Sequence, residues 1–384
     1  MQLLFESLFN GVAIGSVLLM AALGLAIVFG LMGVINLAHG ELIMLGAYTT
    51  YVVQLIFKLP AMQPYYNIYV LVAIPLAFVV SGVVGILLER TVIRRLYGSP
   101  LETLLATWGV SLILQQFVRS VPMAYAAGLV LALVSGFGLP LVLPAQWLIA
   151  KRARLIRFGS WALSACFGVC LAGVLASQIN RIARADARNV DVTAPQWMRG
   201  GLEWMDLTFP VPRLVIIVMT VLAVVGVSLF LNRSVWGMRI RAVTQNRSMS
   251  DCLGIPTDTV DVLTFGIGSG LAGVAGVAVS LLGSVGPNVG TSYIVGCFMV
   301  VVLGGVGNLL GTVLASFSIG LLTDLIGAGR LLTIWPEMPA PLEQLVTFFA
   351  TTSMAQVMIF ALIVVFLQFR PAGLFPQKGR MVEV

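Results

Sequence analysis

Long charge-free apolar runs, separated by short basic or polar breaks, organise this chain from end to end. Eleven runs reach or approach the ~20 residues that a helix needs to cross a hydrocarbon layer. They fall at about 8–31, 41–57, 68–88, 104–120, 124–149, 158–178, 214–231, 262–283, 292–306, 309–326 and 354–369. The run at 292–306 is too short to span alone and is expected to form a half-helix. Inside a bilayer an open chain satisfies its backbone polar groups only as helix. The pattern therefore predicts an all-α fold, a polytopic bundle of about 11 transmembrane spans in one domain over residues 1–384.

Composition agrees with the pattern. Apolar residues make up 59 % of the 384 residues and charged residues only 10 %, and the mean hydropathy is +1.03. So few charges cannot cover a soluble domain, which excludes a disordered chain, a secreted disulfide scaffold and an ordinary cytosolic enzyme. The net charge of +7 comes from 22 basic and 15 acidic residues. In a chain of this type the excess reflects the positive-inside rule rather than nucleic acid. Fourteen of the 22 basic residues lie in 89–103, 150–157, 232–261 and the C-terminus, which sets these on the cytoplasmic side and the N-terminus outside. The first basic residue is Lys58, so the charged start of a cleavable signal is missing and the first run is expected to stay as an anchor.

Enzyme chemistry finds little material. Lys58, Lys151 and Lys378 are the only lysines, and none stands in a P-loop. Cys166, Cys170, Cys252 and Cys297 have no zinc or redox spacing, and the one histidine, His39, has no nucleophile elbow to serve. No metal, cofactor or catalytic residue is expected.

The first 57 residues would be one apolar run but for Asn36-Leu-Ala-His39-Gly-Glu41. Polar groups at membrane depth are costly unless they face protein or a water-filled path. The break either lines a substrate route or forms a re-entrant corner whose polar groups satisfy one another. A weak echo, Gly33-Val-Ile-Asn36-Leu against Gly305-Val-Gly-Asn308-Leu, suggests an internal repeat of the kind that transporters use. Gly11 with Gly15, and Gly266 with Gly270, have the spacing that lets helices approach closely.

The longest cytoplasmic loop, 232–261, predicts a short amphipathic helix over 238–253, stopped by Gly254 and Pro256. Ile240, Val243 and Leu253 share its apolar side, with Arg239, Arg241 and Arg247 solvated. It reads as a charged tether or, more sharply, as a docking element for a cytoplasmic partner.

The stretch from Gly24 to Glu41, Gly-Leu-Ala-Ile-Val-Phe-Gly-Leu-Met-Gly-Val-Ile-Asn-Leu-Ala-His-Gly-Glu, resembles the signature of the branched-chain-amino-acid-type ABC importer permeases. The stretch from Glu102 to Gln116, Arg241 to Arg247, and Gly286-Pro-Asn-Val-Gly continuing to Tyr293 look like the urea-importing branch of that family. Phe298 to Asn308 and the tail Arg370 to Pro376 fit as well, so the resemblance covers about residues 5–120 and 187–380. It implies a multi-pass permease of the bacterial inner membrane, without its own ATPase site. Its partners would be a second permease subunit, two cytoplasmic ATP-binding subunits and a periplasmic substrate-binding protein.

On this resemblance the substrate pathway is expected at Asn36, His39, Glu41, Gln115 and Asn308. The ATPase contact is expected at Arg239, Arg241, Thr244, Gln245, Asn246, Arg247 and Gly254. Residues of about 122–185 have no counterpart in the usual urea permease and read as an inserted transmembrane hairpin, and Gly296 stands where the family often has an acidic residue. Urea or a close small amide is the expected cargo, with branched-chain amino acids or short amides as the alternative. A passive channel or ion-coupled carrier is the alternative of another class, and a carrier would need a carboxylate such as Glu41 or Asp324 in its spans.

Overall fold

The fold is described from a computed structural model, over residues 2–60, 62–120, 189–204, 207–330, 347–348 and 350–375. The expected hairpin at 122–185 lies outside these residues. The other nine apolar runs each form a helix, beginning with α1 (Gln2–Met32), α2 (His39–Phe57), α3 (Tyr69–Thr91) and α4 (Pro100–Ser120). After the undescribed stretch come α5 (Val211–Arg233), α6 (Val235–Gln245), α7 (Arg247–Cys252) and α8 (Thr257–Leu282). The chain continues through α9 (Val289–Gly304), α10 (Leu309–Gly327) and α11 (Thr352–Phe369).

Seven of these helices are long and apolar enough to cross a membrane. Val289–Gly304 is shorter, as the half-helix expectation required. The fold is mostly helical and polytopic. One feature that the apolar runs do not show is an antiparallel hairpin, β1 (Gly201–Trp204) with β2 (Leu207–Pro210), which leads into α5.

α8 is the central post, packed on α1, α2 and α3. Its Gly-rich sequence explains the position, because helices associate in lipid through close packing of small residues. A β-carbon added at Gly46 of α2 would lie 2.6 Å from the Gly273 Cα of α8. Such a separation is open only to glycine. The expected Gly11 and Gly15 pair meets α10 instead, at Leu321, Ser316 and Phe317. Side-chain hydroxyls then close the remaining backbone acceptors, with Ser81 of α3 donating to the Leu42 carbonyl at 3.0 Å and Thr220 of α5 to Ser16 at 3.1 Å.

α4 and α5 sit at the periphery. Leu105, Ile113, Val218 and Leu222 stand more than half exposed, in keeping with a lipid-facing or subunit-facing surface. At one end of the bundle, α6 packs on α5 and α8, and α7 on α6 and α8. At the other, the 189–199 segment caps α2 and α3, with Thr193 accepting from Gln54 and Tyr69.

Replacing Gly46 with leucine is expected to cost about 1–3 kcal/mol by overpacking the α2–α8 seam. Thermal unfolding of the purified protein checks this, and an unchanged midpoint would show that the helices separate freely at that point.

Candidate functional site

The polar break is re-entrant. α1 runs through to Met32, and the chain then turns back at Gly33, where φ is +69°. The His39 ring, through Nε2, meets the Ala21 carbonyl at 3.1 Å. Ala21 lies eleven residues before the end of α1, about 16 Å along its axis at 1.5 Å per residue. α2 therefore begins well inside the bundle, and Asn36, His39 and Glu41 are all buried.

Several of the polar groups at the break find a partner of a particular kind. The Asn36 side-chain carbonyl accepts from the Ala38 amide at 3.0 Å, closing a local turn. The Leu37 amide donates to Thr107 Oγ1 at 3.2 Å. Ser111 Oγ and Gln115 Nε2 both donate to Glu41 Oε1, at 3.0 and 2.8 Å. Thr107, Ser111 and Gln115 recur every fourth residue, so α4 brings one polar face against the break. Glu41 also sits in the first turn of α2, where an acidic side chain complements the helix dipole.

α9 converges on the same point. A β-carbon at Gly290 would lie 2.5 Å from the Gly40 carbonyl oxygen and 2.9 Å from the Glu41 nitrogen, so two helix N-termini meet backbone to backbone. One turn beyond Gln115, Arg119 donates to Asn288 Oδ1 at 2.7 Å and ties α4 to the start of α9. Three buried side-chain atoms of the break have no protein hydrogen-bond partner: Asn36 Nδ2, His39 Nδ1 and Glu41 Oε2. They leave hydrogen-bonding capacity unused within the break.

Asn308 lies elsewhere. Its side chain caps α10, accepting from the Leu310 and Gly311 amides at 3.1 and 3.2 Å, and reaches the Phe375 carbonyl at 3.4 Å. The sequence echo thus joins an intramembrane break to a helix cap near the C-terminal tail. Asp324 is engaged too, accepting from Ser7 at 2.9 Å and pairing with Arg330 at 3.4 Å.

The loop 232–261 differs from the single helix expected over 238–253. Asn246 breaks it, with φ −155° and its side chain accepting from the Met249 amide at 2.9 Å, an N-cap that starts α7. Gly254 ends the element with φ +79°, as its position suggested. Ile240 is buried, but Leu253 is 74 % exposed, beside exposed Met238 and Met249. Arg239 lies over the Trp236 ring at 4.9 Å, Arg241 donates to Asn232, and Thr244 back-bonds to Ile240. Gln245 stands exposed at the end of α6. Arg247 turns inward, to Asp261 Oδ2 at 2.8 Å and over the Tyr97 ring at 4.9 Å. Burial and the carboxylates of Asp261 and Glu89 hold the Tyr97 phenol far above its ordinary range, so it is a neutral donor, bonded to Glu89 at 3.4 Å.

The family described as branched-chain amino acid transport system, permease component, matches residues 7–367. The chain belongs to this family. Its sequence is 25 % identical over 370 residues to the high-affinity branched-chain amino acid transport system permease protein LivH of Escherichia coli (strain K12), covering 96 % of this chain and 94 % of that protein. The permease protein BraD of the corresponding system of Pseudomonas aeruginosa is 26 % identical over 317 residues, 82 % of this chain and 83 % of its own length. No solved structure matches. The chain is thus a multi-pass inner-membrane transport component rather than an enzyme, of a family that works with ATP-binding and substrate-binding proteins.

In this permease, Thr107 and Ser111 are the residues that motif reading missed. Their signal was present as the spacing Thr103, Thr107, Ser111, Gln115 in an otherwise apolar run. Replacing Gln115 with leucine is expected to destabilise the permease by about 1–3 kcal/mol, because it strips a donor from the buried Glu41 carboxyl. The double replacement Glu41→Gln with Gln115→Leu should recover part of that loss in a thermal-unfolding cycle; additive losses would show that the two side chains act independently.

Proposed function

We propose that the permease carries urea, or a closely related small amide, past the Asn36–Glu41 break. The observation that carries this reading is the chemistry of the break. It presents an unpartnered amide donor at Asn36 Nδ2 and an unpartnered acceptor at Glu41 Oε2. Urea offers the complement, one carbonyl acceptor and N–H donors on both sides. No lysine or arginine is fully buried among the described residues, and the nearest cation to the break along α4, Arg119, is exposed and donates to Asn288. The stretches 102–116, 241–247 and 286–293 that look like the urea-importing branch support the same cargo.

Branched-chain amino acids are the second reading. It is favoured by the names of the relatives and by the two converging helix N-termini, a geometry that suits carboxylate recognition in transporters. Asn36, His39, Glu41 and Gln115 serve as the pathway residues in either case, whereas Asn308 is left as a helix cap.

The loop 232–261 is the docking element for the ATP-binding subunits. Met238, Met249 and Leu253 give it an exposed apolar patch that a soluble tether has no need of. Two such subunits, a second permease chain and a binding protein on the far side complete the importer. Closure of the ATPases on ATP would move the loop and switch the pathway between its two faces.

Uptake of labelled urea and labelled leucine at low concentration, in cells with and without this subunit, tests the assignment. Loss of urea uptake with leucine uptake intact is expected. The opposite pattern would move the assignment to amino acids, and urea uptake that survives loss of the ATPases would point to a channel or carrier.

A further inference from the structure

We infer that Arg247 is a positioning residue through which movement of the α6–α7 loop reaches α8 and the polar break, an inference that rests on reading this loop as the ATPase-docking element. Arg247 opens α7 directly after the Asn246 cap, so its backbone belongs to the loop. Its guanidinium belongs to the bundle. It contacts Asp261 Oδ2 at 2.8 Å and Asp258 Oδ1 at 3.8 Å, both in the first turns of α8, and stacks over Tyr97 at 4.9 Å. Tyr97 passes the link to Glu89 of α3 through its hydroxyl at 3.4 Å, and Arg94 pairs with Asp258 from the α3–α4 connection. One side chain thus joins the loop to α8, to α3 and to the segment between α3 and α4.

The position of Asp261 gives this link its reach. Asp261 is 3 % exposed, on the most centrally packed of the bundle's helices. Gly268 lies seven residues further along α8, about 10 Å or two turns away. There a β-carbon would fall 2.8 Å from the Gly24 carbonyl of α1, and one at Gly24 would fall 2.9 Å from His39 Cε1. A shift of α8 is therefore felt at once by α1 and by the start of α2, because close-packed helices do not deform independently. The arginine's own side chain is 44 % exposed, and a half-exposed ion pair adds little to stability. Its value is geometric: a planar, forked, stacking cation fixes direction where a lysine ammonium does not. The exposed Met249 and Leu253 stand on the same short segment, so the surface offered to a partner and the anchor to α8 are a few residues apart.

The test uses the complete importer in proteoliposomes with its binding protein, measuring ATPase subunits retained, ATP hydrolysed and solute moved. The solute is whichever of labelled urea and leucine the unmodified importer carries, so the result does not depend on the cargo assignment. Arg247→Gln and Asp261→Asn are each expected to retain the ATPase subunits and hydrolysis while solute moved per ATP falls about tenfold, in the range of ordinary coupling between sites. The double variant should lose no more than either single one. Arg247→Lys, which keeps the charge and guards against a folding defect, should fall between. Normal solute per ATP in the Gln variant, or losses that add in the double variant, would overturn the inference. Loss of the ATPase subunits from a folded Arg247→Gln importer would also overturn it, making Arg247 a docking contact. Separately, Leu253→Asp with Met249→Asp should release the ATPase subunits; if they stay bound, the docking reading itself fails.

Discussion

Interrupting a helix inside a hydrocarbon layer exposes amides and carbonyls that no water can satisfy, and the rest of this bundle is arranged around supplying their partners. An unsatisfied backbone group at such depth costs several kcal/mol. Thr107 takes the Leu37 amide, Asn36 takes the Ala38 amide, and the His39 ring meets the Ala21 carbonyl. α4 has most of its surface exposed, yet its polar face is held against the break. Its place in the fold follows from that requirement more than from apolar burial.

A second constraint follows from the first. For α2 to start inside the bundle, α8 and α9 must pass within backbone contact of it. Gly46 against Gly273, and Gly40 against Gly290, are the contacts that permit this. Three buried side-chain atoms without a protein hydrogen-bond partner, Asn36 Nδ2, His39 Nδ1 and Glu41 Oε2, lie in the break itself.

The loop end obeys a different rule. There the charges are numerous and partly solvated, so individual pairs add little stability and their arrangement is what counts. Arg94, Arg247, Asp258, Asp261, Tyr97 and Glu89 interlock where α3, α7 and α8 meet. The outward surface of the same loop is apolar at Met238, Met249 and Leu253. Ile240 of the same loop is buried and Arg241 exposed, so the loop keeps an ordinary amphipathic polarity, with Arg247 reaching Asp261 of α8 and three apolar side chains left in the open.

Much of the architecture was legible from the residues alone. Nine apolar runs became helices, the run at 292–306 became the short α9, Asn36 to Glu41 marked the break, and Gly254 ended the loop helix. These are local properties, set by run length, by a polar interruption and by a residue that tolerates positive φ. Other matters depended on which helices become neighbours and how each is rotated. Only the tertiary structure decided that Ser111 and Gln115 meet Glu41, that Arg247 turns inward while Leu253 turns out, and that Asn308 caps a helix despite its likeness to Asn36. A sequence states the length and polarity of a span, but in lipid every face of a span can be apolar. The facing residues are then chosen by close packing and hydrogen bonding between helices distant in the chain.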